Sequence, residues 1–172
     1  MINRQFKISI IIPVYNEADS LEDCLGAIDC LERKPYEVIV VDNNSTDNTR
    51  EVAFGHNGVK VVQEKRQGVV YARAKGFDVA SGELVARIDA DTIVPANWLD
   101  KINQLFNEDR ELAAVSGSAD YYDFIFPEFA NWLDRFARRY LELGLKDWTF
   151  LHGSNMAIKK SAWKSVRESV VI

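Results

Sequence analysis

Residues 84–91 have the sequence LVARIDAD, an apolar run that ends in two aspartates. A short apolar run of this kind predicts a buried strand. Side chains two positions apart on an extended backbone point to the same face, so Asp89 and Asp91 are expected to converge at the carboxyl end of the strand. Two carboxylates this close favour a hard divalent cation between them. Two solvated aspartates at a strand exit are the plainer interpretation, because so short a motif is weak by itself.

Three similar apolar runs precede this stretch, and helical patterns separate all four. The apolar runs lie at residues 8–14, 37–42 and 59–63. The helical patterns lie at residues 19–34, 48–54 and 69–80. The first helix is predicted to begin at Asp19, with Glu22 as its capping-box partner, and to end before Pro35. This alternation predicts an α/β fold with a mostly parallel sheet and helices on both faces.

Polar side chains follow three of these strands at the point where each strand ends. Tyr15 and Asn16 follow the first strand, Asp42 ends the second, and Asp89 and Asp91 end the fourth. Ligands of parallel α/β sheets bind outside the carboxyl ends of the strands. Any one of these aspartates is explained by helix capping, but three segments at one edge favour a binding site.

The pattern changes after Asp91. We predict a helix from Pro95, a strand at 112–115, an aromatic strand at 121–126, a strand and loop at 148–158 and a short basic helix at 159–167. The segment that begins at Pro127 has an aromatic stripe at helical spacing. The stripe indicates a helix packed on the sheet, with a helix that contacts lipid as the alternative.

Composition narrows the class of protein. A chain of 172 residues with 47% hydrophobic and 27% charged residues is typical of one globular domain. The net charge of −5 argues against general binding of nucleic acid. The two cysteines, Cys24 and Cys30, fit neither a disulfide framework nor a cysteine metal site. The sequence has no secretory signal or membrane-spanning run, which predicts a cytoplasmic protein, with peripheral contact at the inner face of the membrane as an alternative.

Five motifs together closely resemble glycosyltransferase family 2, whose members have the Rossmann-like GT-A fold. They are SIIIPVYNE at 9–17, VVDNNSTD at 40–47, ARAKG at 72–76 followed by ASGE at 80–83, IDADT at 88–92 and GSNMAIKK at 153–160. The motifs occur in the order of the family and cover most of the chain. The sequence therefore resembles a single GT-A domain over residues 1–172.

The resemblance implies a role for ten residues of this chain. The residues implied around the base and ribose of a nucleotide-sugar are Pro13, Tyr15, Glu17 and Asp42, with Arg73 near the nucleotide. The residues implied at the metal are Asp89, which also serves the ribose, and Asp91. The residues implied beside the sugar and the acceptor are Gly153, Ser154 and Asn155.

The implied reaction is metal-dependent, inverting transfer of a hexose from a UDP- or GDP-linked donor to an acceptor hydroxyl on a saccharide or lipid-linked substrate. A Mn²⁺ or Mg²⁺ ion suits the oxygen ligands and the charge of the leaving diphosphate. The acceptor hydroxyl needs a general base, which the family usually supplies from an acidic pair after the G-S-N-x-A segment. We therefore expect the base to lie beyond Ile172 and the domain to be incomplete at its C-terminus. Glu168 is a weak substitute, and His152 is more simply structural.

Two other functions stay open. A GT-A module that binds a nucleotide-sugar or a partner without turnover is the main alternative. A nucleotidyltransferase is a weaker one, and the lack of a glycine-rich phosphate loop after the first strand counts against dinucleotide or P-loop binding. The apolar end at 170–172 also indicates a strand that is able to pair with a second copy of the chain.

Overall fold

The computed structural model describes residues 4–117 and 154–169. Within them the strands are β1 Ile8–Val14, β2 Glu37–Asp42, β3 Val59–Gln63, β4 Leu84–Ile88, β5 Ala114–Ser116 and β6 Asn155–Lys159. The helices are α1 Ala18–Asp29, α2 Thr49–Gly55, α3 Val69–Val79, α4 Trp98–Glu108 and α5 Lys160–Val166, and a 3₁₀ turn follows at Arg167–Ser169. The predictions for 121–126, for the helix from Pro127, for His152 and Gly153 and for 170–172 lie outside these residues.

The described strands form one six-stranded sheet in the order β3-β2-β1-β4-β6-β5. β3, β2, β1 and β4 are parallel, while β6 runs antiparallel to both β4 and β5. The prediction of a mostly parallel α/β sheet is confirmed. Because β6 is reversed, its first residue, Asn155, lies opposite Ile88 at the carboxyl end of β4. One edge of the sheet therefore collects the ends of β1, β2 and β4 and the start of β6.

Apolar layers cover both faces of the sheet, as the sequence predicts. Alternate side chains of β1 belong to different apolar layers, because successive side chains on a strand point to opposite faces. Ile10 and Ile12 pack with the apolar faces of α1 and α4, whereas Ile11 packs with α3 and with Trp163 of α5. The central strands are buried on both sides, which explains their continuous apolar sequences. No helix in the described ranges is long and apolar enough to cross a membrane.

The predicted start and end of the first helix are wrong. α1 begins at Ala18, Asp19 lies within its first turn, and no side chain of the N-cap residue Glu17 caps it. The loop after β2 supplies the cap instead. The backbone N–H of Glu17 donates to Thr49 Oγ1 at 2.9 Å, and that of Ala18 donates to Asp47 Oδ2 at 3.3 Å. The helix ends at Asp29, well before Pro35, and Leu31 is buried beyond it.

Gly82→Ala is expected to destabilise the protein by about 2–4 kcal/mol. A Cβ at this position would lie 2.6 Å from Ser9 Oγ, 2.7 Å from Lys7 O and 2.8 Å from Ser9 N, and the last two are backbone atoms around the start of β1. The Gly82 N–H also donates to Ser9 Oγ at 2.8 Å, a bond that the clash would disturb. Urea denaturation measures the change. Gly26→Ala is the control, because a Cβ at this position in the interior of α1 would meet no atom within 4 Å. Equal stability of the two variants would contradict the packing argument.

Asp78 links α3 to α5. Trp163 Nε1 donates to Asp78 Oδ1 at 2.8 Å, and Arg167 Nε lies 2.9 Å from the same oxygen. The ring of Trp163 stacks on Phe77, with centroids 4.9 Å apart. Burial raises the pKa of Asp78, but the hydrogen bonds from Arg167 and Trp163 outweigh it and hold that pKa below its usual value. The ionised carboxylate therefore stabilises the folded state.

Asp78→Asn is expected to lower stability at pH 7 by about 1 kcal/mol, a modest value because the carboxylate is partly exposed and screened by solvent. A group whose folded pKa is lowered stabilises above its unfolded pKa, which is about 3.9 for aspartate. The stabilisation is lost as the pH falls through the lower, folded pKa. Urea titrations at pH 7 and below pH 4 should thus show a difference from wild type that shrinks in acid. A difference that is independent of pH would contradict the role of the charge.

Candidate active site at the carboxyl edge of the sheet

The loops that follow β1 and β2 are joined by hydrogen bonds from Asn16. Its Oδ1 accepts from the backbone N–H of Thr46 at 2.7 Å, and its own N–H donates to Ser45 Oγ at 3.1 Å. Asn16 has a φ of 55° and Asn44 a φ of 68°, the left-handed region that asparagine tolerates better than most residues. The joined loops leave Tyr15 about half exposed at the sheet edge.

Asp42 presents a buried oxygen with no hydrogen-bond donor in the described part of the chain. The residue ends β2, lies opposite Val14 and is 1% exposed. Its Oδ1 accepts from the Ser45 N–H at 3.0 Å, whereas Oδ2 makes no hydrogen bond there and lies 3.6 Å from Arg50 Nε. A buried oxygen without a hydrogen bond is unfavourable in free energy. Such an atom is typical of a site where a ligand supplies the missing donor.

Asn43 anchors the loop between β3 and α3 at this edge of the sheet. Its Nδ2 donates to the carbonyl oxygens of Glu64 at 2.9 Å and Arg66 at 2.7 Å, and its Oδ1 accepts from the Gly68 N–H at 2.7 Å. These bonds hold the loop before α3 beside Asp42. The sequence pattern predicts Asn43 only as a turn residue. The signal that the sequence offers is an asparagine directly after an apolar strand, because its amide is able to donate to and accept from loop backbone.

Asp89 and Asp91 lie on a turn and not on extended backbone. β4 ends at Ile88, and the Thr92 N–H donates to the Asp89 carbonyl at 3.2 Å to close the turn. The predicted extension of the strand to Asp91 is therefore wrong. The Cys24 thiol of α1 donates to the backbone carbonyl of Asp89 at 3.9 Å. Burial, together with the charges of Asp91 and Asp89, raises the pKa of the Cys24 thiol to about 12.

Arg87 lies buried beneath this turn and was not predicted. The side chain is 1% exposed, and Nη2 donates to Asp89 Oδ1. Among the described residues, Nε and Nη1 of Arg87 and Nε of Arg73 have no hydrogen-bond partner. Burial lowers the pKa of Arg87 to about 10, Asp89 opposes that shift and Arg73 adds to it, so the guanidinium stays protonated at neutral pH. A charged residue inside an apolar run was the signal that the sequence offered.

The structure brings most of the other predicted residues to the same edge. Pro13 is half-buried near the end of β1, Glu17 precedes α1, and Arg73 lies on α3 close enough for its charge to act on Arg87. Asn155 is the first residue of β6, and the half-buried Ser154 precedes it. The Asn155 side chain accepts from Trp98 Nε1 at 3.1 Å, which ties β6 to α4 and gives this residue a structural contact as well.

Two carboxylates at this turn suit a cation that arrives with a ligand. Within 4–117 and 154–169, no group of three or more histidine, cysteine, aspartate or glutamate side chains is placed to hold a metal. Mg²⁺ and similar ions are commonly bound by one or two carboxylates, with phosphate and water oxygens as the remaining ligands. Asp89 and Asp91 fit such a shared site.

Comparisons with known proteins agree on one family. The model of glycosyl transferase family 2 matches residues 9–167. The chain is 36% identical over 101 residues to the glycosyltransferase AglE of Haloferax volcanii, which is 55% of this chain and 33% of that protein. It is also 36% identical over 115 residues to the dolichol-phosphate mannosyltransferase of Pyrococcus furiosus, which is 64% of this chain and 33% of that protein.

The fold is similar to that of a solved mannosyltransferase. The structure of PcManGT from Pyrobaculum calidifontis, in complex with GDP-Man and Mn²⁺, matches with a TM-score of 0.72 and 28% identity. The match covers 95% of this chain and 47% of that one. The chain thus spans about a third of the length of these two curated relatives and about half of the solved protein.

Proposed function

This chain belongs to glycosyl transferase family 2, and from that premise we propose that it binds a nucleoside diphosphate sugar for metal-dependent, inverting transfer to an acceptor hydroxyl. One observation carries the proposal: the buried Oδ2 of Asp42, which accepts no hydrogen bond from the described residues, and the Asp89–Asp91 turn lie at the same edge of one sheet. A nucleoside diphosphate whose base binds at Asp42 and whose diphosphate binds at the Asp89–Asp91 turn would span that edge.

Asp42 would recognise the base of the donor. Its Oδ2, which makes no hydrogen bond among the described residues, would accept one from the ligand, and both uracil and guanine carry a ring N–H that donates one. Pro13, Tyr15 and Glu17 would line the pocket around the base and ribose, and Arg73 would lie near the nucleotide. The GDP-Man bound to the similar mannosyltransferase supports a donor of this class, either UDP- or GDP-linked.

Asp89 and Asp91 would hold Mn²⁺ or Mg²⁺ together with the diphosphate, and Asp89 would also bind the ribose. The cation supplies positive charge that offsets the charge developing on the leaving diphosphate. The Mn²⁺ in the similar mannosyltransferase supports this use of the site. The acceptor hydroxyl also has to lose a proton to a general base, a role that we assign to no described residue.

The acceptor would be a saccharide or a lipid-linked substrate. Similarity to a dolichol-phosphate mannosyltransferase supports the lipid-linked class. Ser154 and Asn155 would lie beside the sugar and the acceptor.

Thermal denaturation across a panel of nucleoside diphosphates tests the proposal. UDP or GDP should raise the melting temperature in Mn²⁺ or Mg²⁺ but not in EDTA, because binding to the native state alone stabilises it, by about 2.7 kcal/mol at 100 times Kd. The absence of a metal-dependent shift with every nucleotide would refute the proposal. Release of UDP or GDP from a sugar donor then separates turnover from binding alone.

A further inference from the structure

Arg87 is an unusual residue for the place that it occupies. It lies on β4 between strand residues that are fully buried, and its side chain is 1% exposed. A guanidinium has five N–H donors. Among the residues that the structure describes, the Arg87 guanidinium donates only to Asp89, and its Nε and Nη1 atoms have no hydrogen-bond partner. Burial of a charge that is so incompletely bonded is unfavourable, and an apolar side chain of similar size would pack there at lower free energy. Packing therefore does not explain the arginine.

The contact with Asp89 has a specific consequence for the carboxylate. Arg87 Nη2 donates to Oδ1 of Asp89, and Oδ2 takes no part in that contact. The Asp89 side chain is 36% exposed, so it remains accessible from the solvent side. One oxygen is thus held from beneath while the other stays available. A ligand carboxylate oriented in this way loses less freedom when it binds a cation.

The charge of Arg87 also matters to the edge as a whole. Asp89 and Asp91 together present two negative charges to a ligand that is itself a diphosphate. Arg87 contacts one of these carboxylates directly, and the charge of Arg73 acts on Arg87 itself. A buried cation in contact with one of the two carboxylates offsets part of the negative charge that this turn presents to an incoming phosphate.

We propose that Arg87 is a positioning residue of the cation site, which fixes the Asp89 carboxylate from beneath and thereby sets the affinity for a divalent cation with its nucleoside diphosphate. The inference rests on the proposed function, because it concerns the same site. It adds a residue to that site to which neither the sequence motifs nor the family resemblance assigned a role.

The test compares Arg87→Met, Arg87→Lys and wild type. Free Mn²⁺ is titrated by electron paramagnetic resonance in the presence of UDP or GDP, and melting is followed separately in EDTA. Arg87→Met should weaken Mn²⁺ binding by about 10-fold or more, the usual effect of removing a partner of a metal ligand. Its melting temperature in EDTA should not fall, since the buried charge is removed and the Asp89 carboxylate that is left without a partner is 36% exposed to solvent. Arg87→Lys should bind Mn²⁺ more tightly than Arg87→Met, because it keeps the charge near Asp89.

A purely structural role predicts the opposite order in Mn²⁺ binding, with Arg87→Met binding the ion at least as tightly as Arg87→Lys. Arg167→Met is the matched control, because it removes another arginine paired with an aspartate, Asp78, away from the site; it should leave the affinity for Mn²⁺ unchanged. Arg87→Gln serves as a second neutral variant if the methionine variant does not fold, and the same loss is expected.

Wild-type affinity in the methionine or glutamine variant would overturn the inference alone. If wild type itself binds no Mn²⁺ with any nucleoside diphosphate, the proposed function fails and the inference falls with it.

Discussion

Asp91→Asn is expected to abolish the metal-dependent stabilisation of the protein by UDP or GDP while the fold remains intact. The Asp91 side chain is exposed on the turn after β4, and asparagine has nearly the same size, so the change disturbs no core packing. It removes one of the two carboxylates proposed to bind the cation. We expect affinity for Mn²⁺ in the presence of nucleotide to fall by about 100-fold or more, which corresponds to about 2.7 kcal/mol.

The measurement is the shift in melting temperature between Mn²⁺ and EDTA at a fixed nucleotide concentration. Asp23→Asn, an exposed aspartate in α1, is the control for loss of one negative charge. The control should keep the wild-type shift. An undiminished shift in Asp91→Asn would remove the proposed role of this residue and leave the base pocket to be tested separately.

Asp42→Asn is expected to weaken nucleotide binding by about 10- to 100-fold. The asparagine side chain has one oxygen where aspartate has two. If that oxygen keeps the bond from the Ser45 N–H, an amide donor takes the place of Oδ2 and faces the N–H of the base. If the amide is reversed, its donor faces the Ser45 N–H. Either orientation leaves two donors opposed in a buried position, since Asp42 is 1% exposed.

Calorimetry with two ligands separates recognition of the base from other effects. UDP or GDP in Mn²⁺ should bind the Asp42→Asn variant weakly, whereas inorganic pyrophosphate in Mn²⁺, which has no base, should bind it as it binds wild type. An equal loss for both ligands would show that Asp42 supports the edge generally. Arg50, which loses its charged neighbour, is itself substantially exposed and should be hydrated without a large penalty.

The positions and the parallel direction of the first strands could be predicted because the sequence patterns that indicate them are local. β1, β2 and β3 occupy the predicted residues 8–14, 37–42 and 59–63, since each is a short apolar run bounded by turn formers. The start of α1 could not be predicted in this way. Its cap comes from Asp47 and Thr49, about 30 residues further along, and no pattern around Asp19 reports that contact.

The residues of the candidate site also fall into those that local sequence patterns predict and those that depend on tertiary contacts. Asp42, Asp89 and Asp91 were predicted at one edge because the rule for parallel sheets needs only the strand ends. Arg87 was missed because its importance depends on burial and on the contact with Asp89, which the sequence does not show. The turn at Asp89 was missed for a similar reason, since a single small residue between two aspartates fits extended and turned backbone equally well.

The cap that the loop after β2 provides for α1 limits how this protein can be redesigned. That loop follows Asp42, and exchanging it with the loop of a relative is an obvious way to alter preference for the donor. Yet Asp47 and Thr49 of the same segment accept hydrogen bonds from the N–H groups at the start of α1. The segment also donates to Asn16 Oδ1 through the Thr46 N–H and accepts from the Asn16 N–H at Ser45 Oγ. The loop therefore cannot be exchanged independently of the start of α1. A graft that omits these side chains changes the start of α1 along with the pocket, so transplanted specificity requires both segments to be exchanged together.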